Sequence, residues 1–219
     1  MAITWTRAEI RAKVRQLASM PGTSNMSDVV INDKINDFYR NIFPGDVNVQ
    51  ELETFFTIDT AADDDGEYQL SDSMHTIEEP MTIKDSDGDI SKVAFYLDKN
   101  IFFELYPEDS SDEDDERNTP VAALLYGRVV YLRPKADEVF TFKTAAKKKP
   151  AILSADGSTP LDVRWGPAIA YGTAILIREE VRDFDSVEKL SQVYGSLITI
   201  INRRDLIQTS KNQRAIPRF

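Results

Sequence analysis

At 219 residues, 42% hydrophobic and 29% charged, the chain has the composition of an ordinary globular protein and the length of one or two compact units, far from the disordered and collagen-like extremes. A chain of this size buries about 70% of the surface its unfolded form exposes, so its core requires no disulfide or metal. The lack of cysteine removes disulfides, thiolate nucleophiles and the commonest structural zinc sites together. The net charge of -11 opposes nucleic-acid binding by phosphate neutralisation.

The opening MAITWTRAEIRAKVRQL is too charged for a secretory leader, and no apolar run of about 18 residues occurs. Both features predict a cytoplasmic protein without a membrane span. Thr6-Arg7-Ala8-Glu9 has capping-box spacing. It predicts a first helix from Arg7 to about Met20, with Ile10, Val14 and Leu17 on one stripe and Pro21-Gly22 as its stop. Ser27 or Asp28 caps a second helix that buries Val30, Ile31, Ile35, Phe38, Tyr39 and Ile42 and closes at Pro44-Gly45.

From Leu52 the period changes. ELETFFTIDT, KVAFYLD, RVVYLRP and DEVFTFKT are rich in aromatic and β-branched residues and read as strands. Asp65-Gly66 and Asp87-Gly88 suit positive backbone torsions and predict antiparallel hairpins. Glu108–Glu116 is a like-charge run with nothing to bury, hence a predicted mobile loop. After Pro160 the helical period returns through Ala168, Ile169, Tyr171, Gly172, Ile175, Leu176 and Val181, with small residues that let neighbours approach closely. Asp185-Ser186-Val187-Glu188 opens a last helix reaching about Gln208, with Val187, Leu190, Tyr194, Leu197 and Ile201 on its apolar stripe.

The fold class expected is therefore α+β. N- and C-terminal helices form a bundle (1–50 and 159–208), an antiparallel β-rich region (51–158, with the acidic loop 108–116) is inserted between them, and an extended basic tail (209–219) follows.

Motifs for chemistry are sparse. Asp85-Ser86-Asp87-Gly88-Asp89 invites calcium, but an EF-hand needs its glycine sixth and a glutamate twelfth, and here the glycine is fourth and the twelfth residue is Tyr96. A hairpin turn accounts for it, and likewise for Asp63-Asp64-Asp65-Gly66. His75 is the sole histidine, too little for a triad or a histidine-rich metal site. Lys147-Lys148-Lys149 could touch phosphate, or form a solvated loop after a strand. No P-loop or GxGxxG occurs, so no enzyme, metal or cofactor is expected.

Charge placement says more. Asp46–Glu116 holds 23 Asp and Glu against three Lys, whereas Asn202–Phe219 holds five Lys and Arg against one Asp. In the tail, Lys211, Arg214 and Arg218 oppose the charge of the body, Pro217 stiffens the chain, and Ile216 and Phe219 offer apolar anchors.

The segment GRVVYLRPKADEVFTFKTAAKKKPAILSADGSTPLDVRWGPAIAYGTAIL resembles one found in head-to-tail adaptor (connector) proteins of tailed bacteriophages. Its features are a strand ending in proline, a second strand, a KKP turn and a helix carrying YGTA. The ending QRAIPRF is similar to the arginine-and-proline ending of that group, and INDFYRNIF on the second helix agrees in position; the acidic insert between Pro107 and Pro120 departs from the pattern.

The resemblance implies a structural virion protein at the head–tail junction, assembled from the host cytoplasm. It would form a self-associated, usually dodecameric ring beneath the portal protein, present a platform to a tail or nozzle protein, and let double-stranded DNA pass without specific binding. It also implies a portal-binding arm, placed here on Arg203, Arg204, Lys211, Gln213 and Arg214 and on Ile216, Pro217, Arg218 and Phe219. A tail terminator or completion protein, and an acidic DNA mimic working through the central region, are the competing readings. Deleting Glu108–Glu116 is expected to leave the melting temperature nearly unchanged; a loss above about 2 kcal/mol, the scale of a core contact, would make the loop structural.

Overall fold

The structure is a computed structural model and describes residues 4–20, 22, 26–62, 64–107 and 118–212, of which 204–212 by backbone alone. The expected loop 108–116 and residues 213–219 lie outside the described residues. In chain order come α1 (Arg7–Leu17), α2 (Asp28–Asp37), a π turn (Phe38–Ile42), α3 (Phe43–Asp46), β1 (Glu53–Asp59), β2 (Glu67–Gln69), β3 (Met74–Lys84) and β4 (Ile90–Lys92). They are followed by β5 (Ala94–Tyr96), α4 (Lys99–Leu105), β6 (Ala122–Tyr126), β7 (Val129–Arg133), β8 (Thr141–Lys148), α5 (Gly166–Glu180) and α6 (Phe184–Asn212). The chain is mixed α+β and divides into a unit of residues 1–52 and 149–219 and a unit of residues 53–148.

In the first unit, α1 opens with the predicted reciprocal box. The Thr6 hydroxyl accepts from the Glu9 N–H and the Glu9 carboxylate accepts from the Thr6 N–H. The donors that the box leaves over reach a distant segment: Arg7 N–H donates to the Ser158 carbonyl at 2.7 Å and Ala8 N–H to the Asp156 carbonyl at 3.2 Å. Arg7 and Arg11 both clamp the Asp156 carboxylate at 2.8 Å. This segment therefore belongs with the helices, and the second unit ends at Lys148 rather than at the expected 158.

Helix α1 stops at Leu17, before Pro21-Gly22. Ser19 takes φ 51° and donates to Gln16 O while Met20 donates to Arg15 O, the paired closure of a Schellman motif without its usual glycine. Helix α5 ends the same way, with Arg182 at φ 59° donating to Glu179 O and Asp183 to Arg178 O.

The second helix does not close at Pro44-Gly45. Pro44 has no N–H, and its ring would meet the Arg40 carbonyl in a regular α continuation. The chain widens into the π turn instead, with Phe43 N–H donating to Phe38 O, and coiling persists to Asp46. Ile31, Ile35, Phe38 and Tyr39 are buried as expected, but the widening and the helix start leave Ile42 and Val30 exposed.

Phe38 is the centre of this unit's packing. Its ring lies where a side chain at position 172 would stand: a Cβ on Gly172 would come within 1.9 Å of the ring. Tyr194 of α6 meets the same ring edge-on at 5.8 Å. Phe43 carries the cluster onward to Trp165 at 5.3 Å, and Ile10, Val14, Ile169 and Ile177 fill the remainder.

Among its described residues the second unit has two four-stranded sheets, ordered β1-β8-β3-β4 and β2-β7-β6-β5, whose apolar faces share a core including Phe56, Ile77, Met81, Val130, Leu132 and Phe142. Strand β8 alternates as a half-buried strand should, with Phe142, Thr144 and Ala146 inward. Glu53 pairs with Lys147, so the chain enters and leaves this unit side by side. Pro80 cannot donate to a ladder, and the β3–β8 register shifts across it, between Glu78 and Met81.

Gly66 and Gly88 have the positive φ expected, at 68° and 97°. The second lies in an antiparallel β3–β4 hairpin. The first does not join β1 to β2, which belong to different sheets. The buried Arg133 guanidinium donates to the carbonyls of Asp65 and Gly66, and Leu132 N–H also donates to Gly66 O, which turns this segment onto β7. The expectation of antiparallel neighbours fails once more, because β5 and β6 pair in parallel. Helix α4 supplies the crossover that a parallel pair requires, and it is fixed by an Asp98 N-cap and by Phe102 inside a ring of Tyr96, Phe103, Tyr106 and Tyr131.

Gly172→Ala is expected to lower stability by about 1–3 kcal/mol, the usual cost of overpacking, despite alanine's better helix propensity. Gly195→Ala on α6, where the added methyl meets nothing within 4 Å, should raise it by about 0.5–1 kcal/mol. Chemical denaturation of the two variants checks both signs.

Candidate docking site

Helix α6 carries the start of the segment that the sequence singles out, and its anchoring is explicit. Its first turn is capped by Asp183 rather than by the expected Asp185: one Asp183 oxygen accepts from the Ser186 N–H at 3.2 Å and the other from Arg178 at 2.8 Å. The Ser186 hydroxyl and N–H, aided by Arg178 and Lys189, hold the Asp183 carboxyl below its ordinary range. Midway, the Tyr194 hydroxyl donates to Asp46 Oδ2 at 2.5 Å, and burial together with that carboxylate pushes the phenol well above its usual value. Further along, Asn202 Oδ1 accepts from the Asn48 N–H at 2.9 Å.

Tyr194, Leu197, Ile198 and Ile201 face the core, while Val193 and Ile200 on the other side are 41% and 48% exposed. Arg203 follows the Asn202 anchor and is exposed. Arg204 and Lys211 lie on α6, which extends through Asn212, so 209–212 are helical rather than extended. No Gly or Pro interrupts the chain between Gly195 and Pro217, and nothing in the backbone forces a stop at Gln208. Gln213, Arg214, Ile216, Pro217, Arg218 and Phe219 lie outside the described residues.

The other motifs have structural roles. Asp85 Oδ1 accepts from the Asp89 N–H at 2.8 Å and Gly88 N–H donates to Asp85 O, so this carboxylate organises its own hairpin. Among the described residues, no group of three or more His, Cys, Asp and Glu is placed to hold a metal ion, and no helix is long and apolar enough to cross a membrane. His75 lies on β3. Lys147 pairs with Glu78 at 3.4 Å, and Lys149 donates to Asn41 Oδ1 at 3.1 Å, so the lysine run is drawn into two local contacts. Burial pushes the Tyr39 phenol up to about 12, although its oxygen accepts from the Leu161 N–H.

The sequence reading missed a groove in the second unit, of about 530 Å³ and lined by Ile77, Glu78, Glu79, Phe95, Leu97 and Leu125. Leu97 is 87% exposed at its edge, and Ile101 and Leu105 continue the apolar line along α4 at helical spacing, exposed by 49% and 57%. That spacing is visible in the sequence only once α4 is recognised.

No protein-family model matches this chain, and no curated protein matches it.

The Arg11 and Arg7 guanidinium groups hold the Asp156 carboxyl far below the ordinary carboxylate range. A carboxylate with a depressed folded pKa stabilises the fold above its unfolded pKa, near 4, and loses that contribution as pH falls below about 4. Asp156→Asn should accordingly be less stable than the parent protein at neutral pH, and the gap should narrow with acidification. Denaturation curves from pH 7 down to about 2 read this directly.

Proposed function

We propose that this chain is a structural virion protein, a head-to-tail adaptor whose ring joins the portal to the tail and forms part of the DNA channel, with no catalytic role. In this reading the N- and C-terminal helices form one bundle, the β-rich region is inserted into it, and the C-terminal segment is an arm that docks on the portal at the head–tail junction. The observation that carries it is the anchoring of α6: pinned at Asp183, Tyr194 and Asn202, the helix leads from the helical core into the basic, apolar sequence from Arg203 to Phe219.

Two further features support it. The YGTA positions of the resemblance fall on α5, where Gly172 takes the Phe38 ring, so the small residues serve close packing rather than a ligand. Residues 53–148 hold 23 Asp and Glu against 10 Lys and Arg, a balance that lets DNA slide past without counterion-release binding. A ring of such arms gains by multivalency, so weak single contacts add up to firm docking on a portal ring.

Truncation after Asn212 leaves every described residue in place. The truncated protein should fold and stay soluble but fail to co-sediment with portal rings. Undiminished co-sedimentation would move the portal contact to the helical body.

A further inference from the structure

The groove of the second unit is a gap between two strand edges. Val93 N–H donates to Met81 O at 3.1 Å, joining the start of β5 to β3. From that point the strands separate, and residues 76–79 and 95–97 become opposite walls. Strand β5 is the last strand of its sheet, and β4 covers β3 only along Thr82–Lys84, so among the described strands none pairs with the groove side of either wall. Such edges take an extended segment by strand addition, with side-chain pockets supplying the choice of sequence. The apolar surface here is Ile77, Phe95, Leu97 and Leu125, and the rim is acidic, with Glu79 exposed beside Glu78.

We infer that this groove binds the C-terminal segment Gln213–Phe219 of a second copy of this chain. In an extended strand alternate residues share a face, so Arg214, Ile216 and Arg218 point the same way: one aliphatic side chain for the apolar surface, with a guanidinium on either side, one for the exposed Glu79 and one for Glu78, which shares its carboxylate with Lys147. Charge selects the same partner. The groove's unit is strongly acidic by sequence, with 23 acidic against 10 basic residues, so two such units repel, whereas the stretch Asn202–Phe219 has five basic residues and one acidic. Pro217 lacks an N–H, which is tolerated where the segment adds as a strand to one wall only and turns that position away from it. A segment of one copy in a groove of the next is a heterologous contact, which propagates around a ring where the rotation closes. The inference concerns copies of the chain in the absence of a portal, which in the adaptor reading would compete for the same segment.

The test uses the full chain with p-benzoylphenylalanine incorporated at position 216, the residue that faces the apolar surface, in an equal mixture of isotopically light and heavy protein. Irradiation should give cross-links between light and heavy chains that map to Phe95, Leu97 or Leu125. Leu97→Asp, at a position 87% exposed and so harmless to folding, should reduce their yield tenfold or more with an unchanged melting temperature. Cross-links confined to single chains, mapping elsewhere, absent, or indifferent to Leu97→Asp would overturn the inference. Portal co-sedimentation of the same variants is scored separately. Groove cross-links without portal binding defeat only the adaptor reading, and portal binding without groove cross-links defeats only this one.

Discussion

The helical unit is arranged around one steric fact, that the ring of Phe38 occupies the space a side chain at position 172 would need. A π turn presents that ring, and the turn is where the second helix accommodates Pro44 rather than ending at it. Tyr194 closes over the ring from α6 and spends its hydroxyl on Asp46, a residue of the short helix that follows the π turn. One aromatic side chain thus couples the proline-induced widening, the glycine of α5 and the position of α6. Since α6 runs on through Arg203 and Arg204 to Asn212, the direction of that stretch of helix is set by core packing.

The second unit obeys a different constraint. Its two sheets meet through apolar faces, but their connectivity is governed by a buried cation and a short helix. Arg133 is only 5% exposed and spends its donors on main-chain carbonyls around Gly66, with Glu67 3.9 Å away, so its burial is offset by hydrogen bonds more than by an ion pair. Helix α4 reverses the chain between β5 and β6, and that reversal leaves β5 at a sheet edge beside β3.

Local signals in the sequence were reliable where the physics is local. The Thr6–Glu9 box, most of the buried stripes of α1 and α2, the small residues of α5, four of the strands and two of the three positive-φ glycines among the described residues are legible because each depends on neighbours a few residues away. What was illegible depends on distant partners. Strand β3 is interrupted by Glu78, Glu79 and Pro80 and gains its definition from β8. Asp65-Gly66 looks like a hairpin until Arg133 claims its carbonyls. The groove escapes a linear reading because its walls come from strands of different sheets. The basic segment was visible as composition, but the anchoring of α6 ahead of it, through Asn202 and Asn48, was not.

Two helix ends have a further consequence. Ser19 and Arg182 hold left-handed torsions where glycine is the unstrained choice, and each costs the fold on the order of 1 kcal/mol. A protein of typical marginal stability that keeps two such joints has unused headroom, since glycine at either position would release the strain without touching a core side chain. Under the adaptor proposal that headroom has little value, because binding to the folded form supplies stabilisation by mass action.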